Sequence, residues 1–186
     1  MALFRKSGEA HALSTAMTGV RRGDRLLQIG CVDPTLLGAI GSKVGLSGRA
    51  CVAVSGAEMA ARARRGAERA GVLVEIEQMN FARLSFADAS FDLVVIDSTN
   101  GMLGSMSPSD RGAYLCEALR VLAGRGRIVV IESAPRPGLA GRWRRAPVNL
   151  SYQASGGSLA ALSGARFRAV RTLAERGGLS FLEGTK

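Results

Sequence analysis

Three cysteines are all that this chain of 186 residues carries. Cys31, Cys51 and Cys116 stand far apart with no C-x-x-C spacing, which argues against a zinc site and against a disulfide framework. No run of residues approaches the ~18 apolar positions of a membrane span. The opening segment MALFRKSGEAHALSTAM holds no continuous apolar stretch of the kind that marks a secretory signal. Internal repeats and interdomain linkers are missing too. The expectation is a reduced, cytoplasmic protein, one domain over residues 1–186, with an N-terminal helical segment over 1–22.

Acidic residues are scarce where they would balance the C-terminal part. The chain has 25 Lys and Arg against 15 Asp and Glu, a net charge of +10. Residues 136–186 hold nine of those cations and only two of the acids. A basic end of this kind suits an acidic protein partner, a peripheral membrane contact or an arginine-rich solvated surface. Hydrophobic residues at 47% and charged residues at 22% are ordinary for a globular protein, so disorder is excluded.

What is present is an alternation of short apolar runs and longer helical segments. Leu26–Ile29, Ala50–Val54, Val72–Ile76, Phe91–Ile96 and Arg127–Ile131 read as five strands. Asp33-Pro34 supplies an N-cap and a first-turn proline for a helix to Val44. Glu58 to Ala70 forms a second helix, with Arg62, Arg65 and Arg69 on one solvated face. Ser107-Pro108-Ser109-Asp110 opens a third, ending near Leu122, with Leu115, Ala118, Leu119 and Leu122 inward. Phe167–Leu173 and Leu179–Leu182 alternate around Glu175-Arg176-Gly177-Gly178, the pattern of an antiparallel hairpin. Near-continuous apolar strands separated by helices predict a mostly parallel sheet covered on both faces.

Three segments carry a family resemblance. They are Gly23-Asp24-Arg25-Leu26-Leu27-Gln28-Ile29-Gly30-Cys31, the run Leu84 to Val95, and the run Leu119 to Val130. Together they resemble class I S-adenosylmethionine-dependent methyltransferases, in particular the ubiquinone/menaquinone-biosynthesis type. The resemblance implies an α/β Rossmann-like fold with a mostly parallel seven-stranded sheet and a C-terminal antiparallel hairpin. It also implies S-adenosylmethionine as cofactor and methyl transfer to a small, quinone-like or anionic acceptor. Fold alone does not establish activity.

Carried over position by position, the resemblance puts Gln28, Gly30, Cys31, Ser55, Gly56, Asn80 and Phe81 around the cofactor. The family's first loop is usually an acid followed by G-x-G-x-G; this chain reads Gln28-Ile29-Gly30-Cys31-Val32-Asp33-Pro34. Val32 and Pro34 replace two glycines, adding a branched side chain and removing an N–H. Ser55 stands where an acid usually grips the ribose hydroxyls, and Asn80 where one receives the adenine amino group. A carboxylate accepting two hydroxyls makes bonds worth roughly 1.5–3 kcal/mol each, so Ser55 weakens the ribose grip. Losing negative charge also removes attraction for a sulfonium cation.

Asp97, directly after the fourth strand, is the candidate catalytic carboxylate, to orient or deprotonate an acceptor; its other reading is a loop hydrogen-bonder. Asp97 with Asn100 offers too few oxygens for a metal, and no metal is expected. His11 lies in a segment where Ala10, Leu13, Met17 and Val20 share a face. It reads as a surface or packing histidine, its other reading being catalytic if that helix covers the crevice, and Cys31 reads as a buried inert thiol. Within a basic cover segment at 136–157, Arg142, Trp143, Arg144 and Arg145 offer cations and a stacking surface to an acceptor or an acidic partner. One aromatic and no recognised motif do not argue for nucleic acid. The second functional expectation is therefore an inactive methyltransferase fold kept as a binding or assembly subunit.

Overall fold

Leu26, Leu27, Gln28 and Ile29 have no exposed surface, as befits a strand covered on both faces. They belong to a seven-stranded sheet in a computed structural model that describes residues 11–79, 83–134 and 149–186. In chain order the elements begin with α1, helical over 11–18, then β1 (Arg25–Ile29), α2 (Pro34–Val44), β2 (Arg49–Val54) and α3 (Gly56–Ala70). Next come β3 (Glu75–Gln78), β4 (Phe91–Ser98), α4 (Met102–Ser105), α5 (Pro108–Val121) and β5 (Leu122–Ser133). After α6 (Leu150–Ala154) and α7 (Gly157–Gly164), the hairpin β6 (Arg168–Arg176) and β7 (Leu179–Thr185) closes the chain.

The sheet order is β3-β2-β1-β4-β5-β7-β6. β1 to β5 pair in parallel, and β7 enters antiparallel between β5 and β6. The α/β fold with its antiparallel terminal hairpin is as the resemblance implies.

Strand alternation splits the core into two layers. Leu27, Ile29, Val94, Ile96, Ile128 and Val130 face Tyr114, Leu115, Ala118, Tyr152 and Leu162. Leu26, Leu93, Val95, Val129, Ile131 and Phe181 face the opposite way, beneath α1 and the inner side of α2. Leu13, Met17 and Val20 do pack there, half-buried.

Three expectations need correction. The third strand is Glu75–Gln78, three residues later than the apolar run suggests. Gly71 ends α3 in the left-handed conformation, and the Val72 N–H then bonds the Ala67 carbonyl, so Val72 belongs to the helix cap. The fifth strand starts at Leu122, straight from α5, and its register against β4 jumps between Phe91 and Leu93. Finally, Leu150–Ala154 in the expected cover loop is helical, capped by the Asn149 side chain on the Tyr152 N–H.

Candidate functional site

The parallel strands bring several predicted residues to one end of the sheet. Gly30 follows β1, Ser55 and Gly56 follow β2, and Asp97 lies near the end of β4. The register Ile29↔Ala53 and Ile29↔Ile96 sets these ends side by side. Gly30 has φ +82°, and a Cβ there would stand 2.8 Å from the Asp97 carbonyl oxygen. Glycine is therefore required at this point by the backbone of β4, whatever else the loop does.

Asp97 is buried and fully engaged. One carboxylate oxygen accepts the Val32 N–H at 2.8 Å and the Asp33 N–H at 3.2 Å. The other accepts the Thr99 hydroxyl at 2.7 Å and the Thr99 N–H at 3.3 Å. This is the loop-holding geometry, and it consumes both oxygens.

The loop after β1 is tied down on every other side as well. Gln28 Nε2 donates to the Gly30 carbonyl at 2.9 Å, while the buried Gln28 Oε1 has no partner. The Gly30 N–H bonds the Ala53 carbonyl, and Arg62 reaches the Val32 carbonyl at 3.4 Å. That contact takes Arg62 out of the purely solvated face expected for it. Asp33 Oδ1 caps α2 through the Thr35 N–H, and His11 Nε2 donates to Asp33 Oδ2 at 2.6 Å. Burial pushes the Asp33 carboxyl up, yet the bonds from His11, Thr35 and Leu36 outweigh it and hold the group below its usual range.

Cys31 is buried, and burial together with the nearby Asp97 charge pushes its thiol up to about 12, so it is inert at neutral pH. Ser55 precedes α3 but makes no capping bond, leaving its hydroxyl exposed at the turn. Asn80, Phe81, Arg142, Trp143, Arg144 and Arg145 lie outside the described residues. Among the described residues, no group of three or more His, Cys, Asp or Glu is placed to hold a metal ion.

The family of the Methyltransferase domain matches residues 27–130, more than half of the chain. The chain belongs to that methyltransferase family. With it comes membership of the class I S-adenosylmethionine-dependent superfamily. Solved structures agree on the methyltransferase fold at low identity. A SAM-dependent methyltransferase from Aquifex aeolicus shares 16% identity at TM-score 0.68, over 90% of this chain and 85% of its own. The YcgJ protein of Bacillus subtilis also shares 16% at TM-score 0.68, over 96% and 98%. A SAM-dependent O-methyltransferase from Thermotoga maritima shares 14% at TM-score 0.65, over 96% and 64%. A comparison with the curated proteins finds no match.

The methyltransferase family implies S-adenosylmethionine, a ligand with a sulfonium, an ammonium and a ribose diol. The described residues do not fit it as a tightly held group. Gln28 and Ser55 are neutral, Asp97 and Asp33 have spent their acceptors on the loop, the α2 cap and His11, and the Arg62 guanidinium at the Val32 carbonyl is paired with Glu58. Asp97 keeps its charge but offers no free acceptor to an ammonium or a ribose hydroxyl. Sequence reasoning missed two ties, His11 to Asp33 and Arg62 to Val32, because each joins positions that only packing brings together. The Asp33-Pro34 cap was the one local signal that pointed to them.

Proposed function

We propose that this methyltransferase-fold chain is catalytically inactive and acts as a binding or assembly subunit. The observation that carries this reading is the Asp97 carboxylate seated on the amides of Val32 and Asp33. It satisfies the loop from within and leaves Asp97 no free oxygen with which to orient or deprotonate an acceptor. The partner in this reading is an acidic protein, met by the basic region from residue 136 onward, where nine cations face two acids.

One observation favours a second reading. The exposed, uncapped Ser55 hydroxyl, with nothing within 4 Å of a Cβ built on Gly56, leaves the turn after β2 open to a ribose. In that reading the chain is an enzyme of the ubiquinone/menaquinone-biosynthesis type. It binds S-adenosylmethionine weakly and methylates a small, quinone-like or anionic acceptor in the cytoplasm.

Calorimetric titration with S-adenosylmethionine and S-adenosylhomocysteine separates the two. Wild type and Ser55→Asp are both expected to give no binding heat, and neither is expected to melt later with ligand. Ligand at 100 times its dissociation constant would stabilise the fold by about 2.7 kcal/mol, so binding would be plain. Binding by wild type, tightened by Ser55→Asp, would overturn the inactive reading and establish the enzyme one.

A further inference from the structure

We propose that the amino end of the β2–β3 edge docks on an anionic lipid surface, with Leu46 and Leu73 as its apolar anchors. Leu46 is 94% exposed and Leu73 84%, the two most exposed large apolar side chains among the described residues. They are not scattered over the surface, where single exposed leucines are ordinary. Both line one groove of about 340 Å³, with Val72, Ala70, Gly45 and Ser42.

Their position in the chain makes this exposure informative. Leu46 follows Gly45, which ends α2, and Leu73 follows the Gly71 cap of α3. Apolar residues just past a glycine cap normally fold back on the last helical turn. Val72, directly past Gly71, packs toward Gly41 of α2, whereas Leu46 and Leu73 stay exposed; the groove they line is otherwise built of Val72, glycines, alanines and one hydroxyl.

Charge selects the occupant. The Arg22 side chain passes 3.6 Å from a Cβ built on Gly45, and exposed Arg69 lines the adjoining α2–α3 groove, which shares Ser42 and Ala70 with this one. Arg25 pairs with Asp92 and Arg49 with Glu75, whereas exposed Arg21 makes no ion pair among the described residues and the Asp24 carboxylate at this end accepts the Arg21 backbone N–H. Two leucines set among unpaired cations match a surface that is apolar just beneath a layer of negative headgroups. The net charge of +10 opposes a second copy of the chain at the same place.

Strand direction separates this surface from the crevice. The groove adjoins Gly48 and Leu73, ahead of β2 and β3, whereas Asp97 lies at the opposite, carboxyl end of the parallel strands. Lipid docking therefore stands independently of whether a cofactor binds, and each can fail alone.

The test is co-sedimentation of the full chain with phosphatidylcholine vesicles, with and without about 30% phosphatidylglycerol. Pelleting is expected with the anionic vesicles only, and to fall as added salt screens the cations. Leu46→Ser and Leu73→Ser should each lower the partition about tenfold, and together abolish pelleting. Both positions are nearly fully exposed, so the variants should melt with the wild type, showing that the fold is intact. No pelleting on anionic vesicles, equal pelleting on neutral ones, or an undiminished double variant would overturn the proposal. Self-association lost in the same double variant, seen by sedimentation velocity without lipid, would overturn it in favour of a dimer interface.

Discussion

Asp97 and Glu132 are carboxylates on neighbouring strands at the same end of the sheet, and their surroundings treat them differently. Asp97 collects four donors. Glu132 receives the Ser158 hydroxyl at 2.6 Å, itself 2.7 Å from the Tyr152 hydroxyl. Burial, reinforced by the charge of Glu175, holds the Glu132 carboxyl above its usual range despite the Ser158 bond. The sign follows from proton binding: between the ordinary carboxyl value and the raised one, the folded state holds more protons than the unfolded. Stability is thus lost as pH rises through that window. Glu132→Gln, which still accepts from Ser158, removes that loss. Urea melts should show the variant gaining on wild type from pH 4 to pH 7. A wild type that gains instead would mean the carboxylate has a cationic partner.

At the scale of elements, α2 and α3 meet backbone to backbone. A Cβ on Gly66 would stand 2.4 Å from the Pro34 carbonyl oxygen, and one on Gly38 2.7 Å from the Ala70 Cβ. Pro34 opens α2 directly after the Asp33 cap, so this contact sets how the loop after β1 sits against Arg62 of α3. Gly66→Ala should push the helices apart and cost about 2 kcal/mol by denaturant unfolding. A neutral result would show that the α2–α3 contact does not position the loop. The caps that start α2 and α5 were legible: Asp33 and Pro34 open α2, and Ser107 accepts the Asp110 N–H at the start of α5, as their residue types predict. The third strand was not, because Val72-Leu73-Val74 has strand composition but is spent on a helix cap and an exposed turn.

At the scale of the molecule, the terminal hairpin completes the sheet. Seven residues of β5, Arg127–Ser133, pair with β7, and Phe181 and Leu182 are buried against them. Removing residues 166–186 would leave β5 as a long apolar edge. The truncated chain is expected in the insoluble fraction, or as aggregate by size-exclusion chromatography; a soluble, cooperatively melting product would show that β5 is protected some other way. Among the described residues no helix is long and apolar enough to cross a membrane.

The apolar runs, the two proline-bearing caps and the glycine turn before Leu179 determined the elements and their fold class, because each acts over a few neighbouring residues. The missing acids at Gln28 and Ser55 were equally plain as letters. Only the tertiary structure decided what became of the crevice. The two amides that Asp97 holds lie 65 and 64 positions from it, and His11 lies 22 from Asp33. A carboxylate's partner depends on where the strands set it down, and that position is a property of the sheet.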